Sequence, residues 1–200
     1  MASAEAQTTD GLWADVSTWL QKNRRTVVVL VIALVLIFTY RAVSASRMEN
    51  AKTQAGSGLK LYQKGKFSQA TKQLEASVRL NPQNAKAQRA LGQSYESTGK
   101  LEKAAMAYRD SLAVDPKQPE VLYNLAIIYK SQGKTKQAVA ELGKAVSYNK
   151  QFVAARLILG DLYLQQGDKA KAKEQYQAVV EMRPFGVDVA KVGQKIKELK

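Results

Sequence analysis

The 200-residue chain has no cysteine and no histidine. Disulfides, thiol nucleophiles, imidazole bases and the commonest zinc ligands are therefore excluded together. A cysteine-free chain suits an oxidising compartment. Proline is also scarce, at four residues, and carboxylates are nowhere clustered as a metal site requires. No metal site and no cofactor is expected. The residual catalytic signals fail on their context. Gly133-Lys134-Thr135 imitates the end of a phosphate loop, but the earlier glycine that such a loop needs is Ile128. Ser57-x-x-Lys60 and Ser131-x-x-Lys134 are spacings that any lysine-rich helical chain produces, and Gly56-Ser57-Gly58 lacks a third glycine. The chain is read as a non-enzyme.

Acidic residues are outnumbered, with 31 Lys and Arg against 17 Asp and Glu, a net charge of +14. Residues 51–200 carry 26 of the cations and 13 of the anions, so this part is basic by itself. That balance points to anionic partners or to a simply well-solvated surface. Nucleic acid is not the expected partner, because the cations are spread along the chain with no aromatic stacking platform among them.

One hydrophobic run stands out. Thr26–Tyr40 carries no charge, and extension to Val43 gives a helix of about 27 Å, close to a hydrocarbon core of roughly 30 Å. Arg41 sits near its end and can extend to the headgroups. Residues 26–43 are therefore read as a transmembrane helix. A cleavable signal sequence is the alternative, since Val43-Ser44-Ala45 has the small residues of a cleavage site. The length of the run and of the segment before it favours a retained anchor. Lys22, Arg24 and Arg25 flank it on the N-terminal side, which favours an inside N-terminus and an exported C-terminal domain. Within the N-terminal tail, residues 1–25, Leu12, Val16, Trp19 and Leu20 form one helical stripe that fits a short interfacial helix. Residues 44–50 lack Gly and Pro and read as a helical connector.

From residue 51 the chain repeats with a period of 34. Gly65, Gly99, Gly133 and Gly167 are in register, as are Ala70, Ala104, Ala138 and Ala172. Gly58, Gly92 and Gly160 recur with Ala126 in the third copy; Tyr95, Tyr129 and Tyr163 recur with Leu61 in the first. Pro82, Pro116 and Pro184 recur with Lys150 in the third. The first glycines read as helix stops, the alanines as close helix contacts, the mid-helix glycines as places where a neighbour approaches closely, and each X-Pro as a boundary between hairpins. The expectation is four helical hairpins, 51–84, 85–118, 119–152 and 153–186. In 187–200, Val189, Val192, Ile196 and Leu199 share one face of a closing helix.

These residues resemble the tetratricopeptide-repeat family. Leu91-Gly92, Tyr95, Ala104, Tyr108 and Pro116 fall at its signature positions, and so do Leu159-Gly160, Tyr163, Ala172, Tyr176 and Pro184. The first copy departs most, with Ser57 and Leu61 at the Leu and Tyr positions. The resemblance implies an all-α fold, a right-handed solenoid following a single membrane helix. It also implies a concave groove lined by the first helix of each hairpin, which binds a partner protein or peptide. The groove residues implied are Leu59 and Tyr62; Arg89, Gln93 and Glu96; Glu120, Tyr123, Asn124, Ile127 and Lys130; and Leu157, Asp161 and Leu164. The family's carboxylate clamp is not expected, since Gln93 replaces one Asn and Ala154 and Ile158 stand where two basic residues belong. The layout is similar to bacterial inner-membrane proteins with exported repeat domains. It implies a membrane-anchored scaffold on the outer face of the cytoplasmic membrane. Two alternatives stay open: a basic solenoid binding anionic lipid or cell-envelope polymer, and a cytoplasm-facing receptor or co-chaperone.

Overall fold

The computed structural model describes residues 13–199, which hold ten α-helices and, among the described residues, no strand. The chain divides into two units, the first ending at Glu49 and the second beginning at Asn50.

In the first unit, α1 spans residues 13–22 and presents Val16, Trp19 and Leu20 to solvent; Leu12, expected on the same stripe, lies outside the described residues. Helix α2, Arg24–Gln63, is one unbroken run of 40 residues. Its apolar stretch is long enough to cross a membrane, and none of it is buried inside the structure. A soluble core helix of this composition would be covered, so α2 contains a candidate membrane span.

In the second unit, the last turns of α2 pair with α3 (Phe67–Leu80). The following hairpins are α4 (Ala85–Ser97) with α5 (Leu101–Val114), α6 (Pro119–Ser131) with α7 (Thr135–Tyr148), and α8 (Val153–Gln165) with α9 (Lys169–Met182). Although α2 begins at Arg24, well before the first repeat, these three pairs recur at 34-residue intervals. The reason is local chemistry repeated four times. Gly65, Gly99, Gly133 and Gly167 all take φ between +71° and +80°, a region other L-residues avoid. In each hairpin the following amide reaches back to the first helix, as when the Lys100 N–H donates to the Tyr95 carbonyl at 2.9 Å. The four equivalent alanines are completely buried, so the paired helices approach closely.

The turns between hairpins follow a signal other than proline. Asn81, Asp115 and Asn149 each accept the backbone N–H two residues on, at 3.1 Å, and all three have extended backbones. The side-chain acceptor holds the turn in the third copy, where Lys150 replaces proline. In the fourth copy Arg183 takes φ 45° ahead of Pro184 instead. Two buried serines add a second tie: Ser77 and Ser111 donate to the carbonyls of Ala51 and Ala85, at 2.8 and 2.9 Å. Ser111 pins the end of α5 to the start of α4, and Ser77 pins the end of α3 to the part of α2 where the repeat begins.

Helix α10 (Val189–Glu198) packs on α9. Its apolar face lies one period beyond that of α8, so Ala155, Ile158 and Leu162 correspond to Val189, Val192 and Ile196. Helix α10 thus takes the place of the first helix of a fifth copy. Its buried Val192 joins Ala172 and Tyr176 in a separate small core.

Candidate functional site: the repeat groove and the clefts behind it

Two tyrosines at equivalent positions organise the groove side. Tyr108 on α5 and Tyr176 on α9 are completely buried apart from their hydroxyls' reach. They fit because Gly92 and Gly160 oppose them. A Cβ on Gly92 would lie 2.5 Å from the Tyr108 ring, and one on Gly160 would lie 2.7 Å from Tyr176. The Tyr108 hydroxyl donates to Glu96 Oε2 at 2.7 Å and accepts from Asn124 Nδ2 at 3.4 Å. Helices α4, α5 and α6 are thereby linked at one point. Burial, reinforced by the Glu96 carboxylate, pushes the Tyr108 phenol far above its ordinary value.

At the other end, Asp161 accepts from the Tyr176 hydroxyl at 2.6 Å and from Lys195 Nζ at 2.8 Å. Lys195 also lies 5.3 Å from the centre of the Tyr176 ring. Partial burial alone would raise the Asp161 carboxyl. The hydrogen bonds from Lys195 and Tyr176, with the charges of Lys195 and Lys130, outweigh it and hold Asp161 below the usual carboxylate range. Burial pushes Tyr176 up, with the bond to Asp161 adding to it.

The thirteen expected groove residues therefore separate into two groups. Glu96, Asn124 and Asp161 are engaged by the two tyrosines and Lys195. Leu157 and Leu164 pack against the small core that α10 completes. Tyr62 stacks near Phe67, with centroids 5.3 Å apart, and Tyr123 near Phe152, at 5.1 Å. Leu59, Glu120 and Lys130 are exposed; Arg89, Gln93, Tyr123 and Ile127 are half-buried. Among the described residues, the side chains of Arg89, Gln93 and Glu120 make no hydrogen bond or ion pair. The internal bonding of Glu96 and Asp161 was hidden in the sequence, because their partners lie 12, 15 and 34 residues away.

A second feature was not anticipated. Tyr95 and Tyr129 sit behind the same first helices, roughly opposite the groove positions at 3.6 residues per turn. Each floors an open cleft between consecutive second helices. One, of about 290 Å³, is lined by Val78, Leu91, Tyr95 and Met106. The next, of about 360 Å³, is lined by Leu112, Leu122, Leu125, Tyr129 and Tyr148. One period further on, Arg156 occupies the place of Leu122 and donates to Gln175 Oε1 and the Lys150 carbonyl, both at 2.9 Å. Column-by-column comparison of the copies carried a signal for this face: Met106 stands where the others have Lys72, Ala140 and Glu174.

Paired helices joined by positive-φ glycines, small residues at the contacts and a period of 34 define a helical repeat protein built for surface presentation. Models described as tetratricopeptide repeat match residues 57–119 and 123–187, more than half of the chain, and another of the same description matches 98–145. The chain belongs to the tetratricopeptide-repeat family. Solved structures agree on the fold. A crystal structure of MamA protein is 22% identical with a TM-score of 0.67, covering 76% of this chain and 81% of that one. PilF of Pseudomonas aeruginosa is 24% identical with a TM-score of 0.59, covering 77% and 69%. YrrB, described as a TPR protein with an unusual peptide-binding site, is 19% identical with a TM-score of 0.66, covering 80% and 85%. No curated protein matches the chain by sequence.

Proposed function

We propose that the protein is a non-catalytic scaffold, anchored in a bacterial cytoplasmic membrane through residues 26–43, which holds a segment of a partner protein in its repeat groove on the exported side. One observation carries the binding reading. Arg89 and Gln93 on α4 and Glu120 on α6 lie unpaired among the described residues, and α6 carries the half-buried Tyr123 and Ile127. Polar groups without internal partners, interleaved with partly covered apolar ones, suit a peptide held by side-chain hydrogen bonds and a few apolar contacts. The peptide-binding site named for YrrB, a protein of the same fold, is consistent with this use. The binding surface is centred on repeats two and three, with Leu59, Tyr62 and Lys130 at its margins. Glu96, Asn124, Leu157, Asp161 and Leu164 shape it from within. The anchor raises the local concentration of whatever the groove holds.

A photo-reactive residue at position 123 in the full chain, followed by mass spectrometry, identifies the neighbour in intact cells. Arg89→Ala should then abolish that cross-link without loss of helicity, and an unchanged cross-link removes the groove from the reading. Protease added outside spheroplasts should degrade the repeats; protected repeats would place them in the cytoplasm and exclude the exported arrangement.

A further inference from the structure

We propose that the face behind the groove is a self-association surface: α5 packs antiparallel on α5 of a second copy, about a twofold axis passing between Arg109 and Asp110. This inference goes beyond the groove and does not depend on it.

The exposed ridge of α5 differs from its equivalents. Met106 is 55% exposed, a large apolar side chain at the rim of the smaller cleft. At the other end of the ridge Ala113 is exposed, small, and set beside Leu112 and Pro116 in the larger cleft. The charges along the same ridge are Glu102, Lys103, Arg109 and Asp110, followed by Lys117 in the turn; Lys103 Nζ lies 5.7 Å over the Tyr95 ring of its own chain. All five are exposed, and among the described residues none of their side chains makes an ion pair or hydrogen bond.

Reversing this ridge onto itself fixes the occupant. With the axis between 109 and 110, Arg109 of each copy meets Asp110 of the other, and Glu102 meets Lys117. Met106 meets Ala113, so the projecting side chain of one copy enters the cleft beside the smallest residue of the other. Apart from Lys103, which falls opposite Pro116 and stays over Tyr95 of its own copy, each group named on the ridge finds an opposite charge or a complementary shape, as a twofold interface requires. A parallel, in-register pairing would instead set Arg109 on Arg109 and Asp110 on Asp110. No other second helix offers this: the places of Met106 and Ala113 hold Lys72 and Arg79 in α3, Ala140 and Ser147 in α7, and Glu174 and Glu181 in α9.

The chain has no cysteine, so introduced cysteines report without background. Full-length Met106→Cys and Ala113→Cys proteins, mixed in detergent micelles and oxidised, should give a disulfide dimer in high yield. Each alone should give little, because a seven-residue offset separates a position from its own copy by about 10 Å along an antiparallel helix. Arg109→Glu faces a carboxylate with a carboxylate and should raise the dimer dissociation constant at least about tenfold; Arg109→Asp with Asp110→Arg should restore it to within about threefold. A mixture that cross-links no better than either variant alone would overturn the proposal. So would a double exchange as weak as Arg109→Glu. A dimer indifferent to both changes is held elsewhere, for example by the apolar stretch of α2, and refutes this surface.

Discussion

Gly92→Ala should destabilise the repeat unit, although Ala is the better helix former. In α4 the replacement gains about 1 kcal/mol of helix propensity. Against that, the new methyl would lie 2.5 Å from both Cδ1 and Cε1 of Tyr108. The ring has nowhere to go: it is completely buried, and its hydroxyl is tied to Glu96 and Asn124 on two different helices. Overpacking at such a site costs about 1–3 kcal/mol beyond the ordinary propensity effect. The net loss should be about 1 kcal/mol and at most about 2, a fall of a few degrees in Tm for a domain of this size. Gly143→Ala is the control. It lies in α7 with nothing within 4 Å of the added Cβ, so the propensity gain should survive and raise stability by about 0.5–1 kcal/mol. Thermal and urea unfolding of the full chain in detergent, followed by circular dichroism, measures both. The third copy supplies a rescue, because Ala126 there faces Leu142 and both are fully buried or nearly so. Tyr108→Leu added to Gly92→Ala should therefore recover part of the loss, with a coupling of about 1 kcal/mol in a double-mutant cycle. Equal effects of Gly92→Ala and Gly143→Ala, or an additive double mutant, would refute the close-approach reasoning.

Three further outcomes follow from the same geometry. Lys150→Pro should stabilise by about 0.4–1 kcal/mol in urea unfolding, because Asn149 already has the extended backbone of Asn81 and Asp115, which precede prolines. Tyr95 is pushed up to about 12 by burial and by its bond to Glu75. Its folded value lies above its unfolded one, so its contribution is complete below pH 10 and lost as pH rises towards 12; Tyr95→Phe should flatten stability across that window, read by circular dichroism. Asp161 shows the opposite sign: its folded value is depressed, so its contribution is present above the unfolded value of 3.8 and lost as pH falls below it. Hydrogen exchange in α10 should accelerate there, and Asp161→Asn should remove that acid dependence.

The parts of this fold that were legible in the sequence depend on single residues acting locally. A glycine at positive φ needs no partner to be recognised, and four of them at one spacing set the hairpins before any contact was known. The same holds for the fully buried alanines and for the uninterrupted apolar stretch of α2. Proline is not the general device at the turns between hairpins. Asn81, Asp115 and Asn149 hold the turns through a side-chain acceptor, which explains why Lys150 in the third copy leaves the architecture intact.

The groove was less legible because its chemistry is shared between copies. Position alone placed Glu96 and Asp161 among ligand-facing residues. Position does not say that a buried tyrosine of the partner helix will take one carboxylate, or that Lys195 of α10 will take part in binding the other. Those bonds have a consequence for recognition. A carboxylate already accepting a phenol, with Lys195 as a further donor at Asp161, has less to offer a ligand than an unpaired group of the same type. Glu96 and Asp161 tie the hairpins to one another, so under the proposed groove reading Arg89, Gln93 and Glu120 are the polar groups whose bonding a partner would complete. Selectivity should accordingly depend on repeats two and three, where those groups sit, and hardly at all on repeat four, whose equivalent face α10 has already claimed through Lys195 and the core around Leu157 and Leu164.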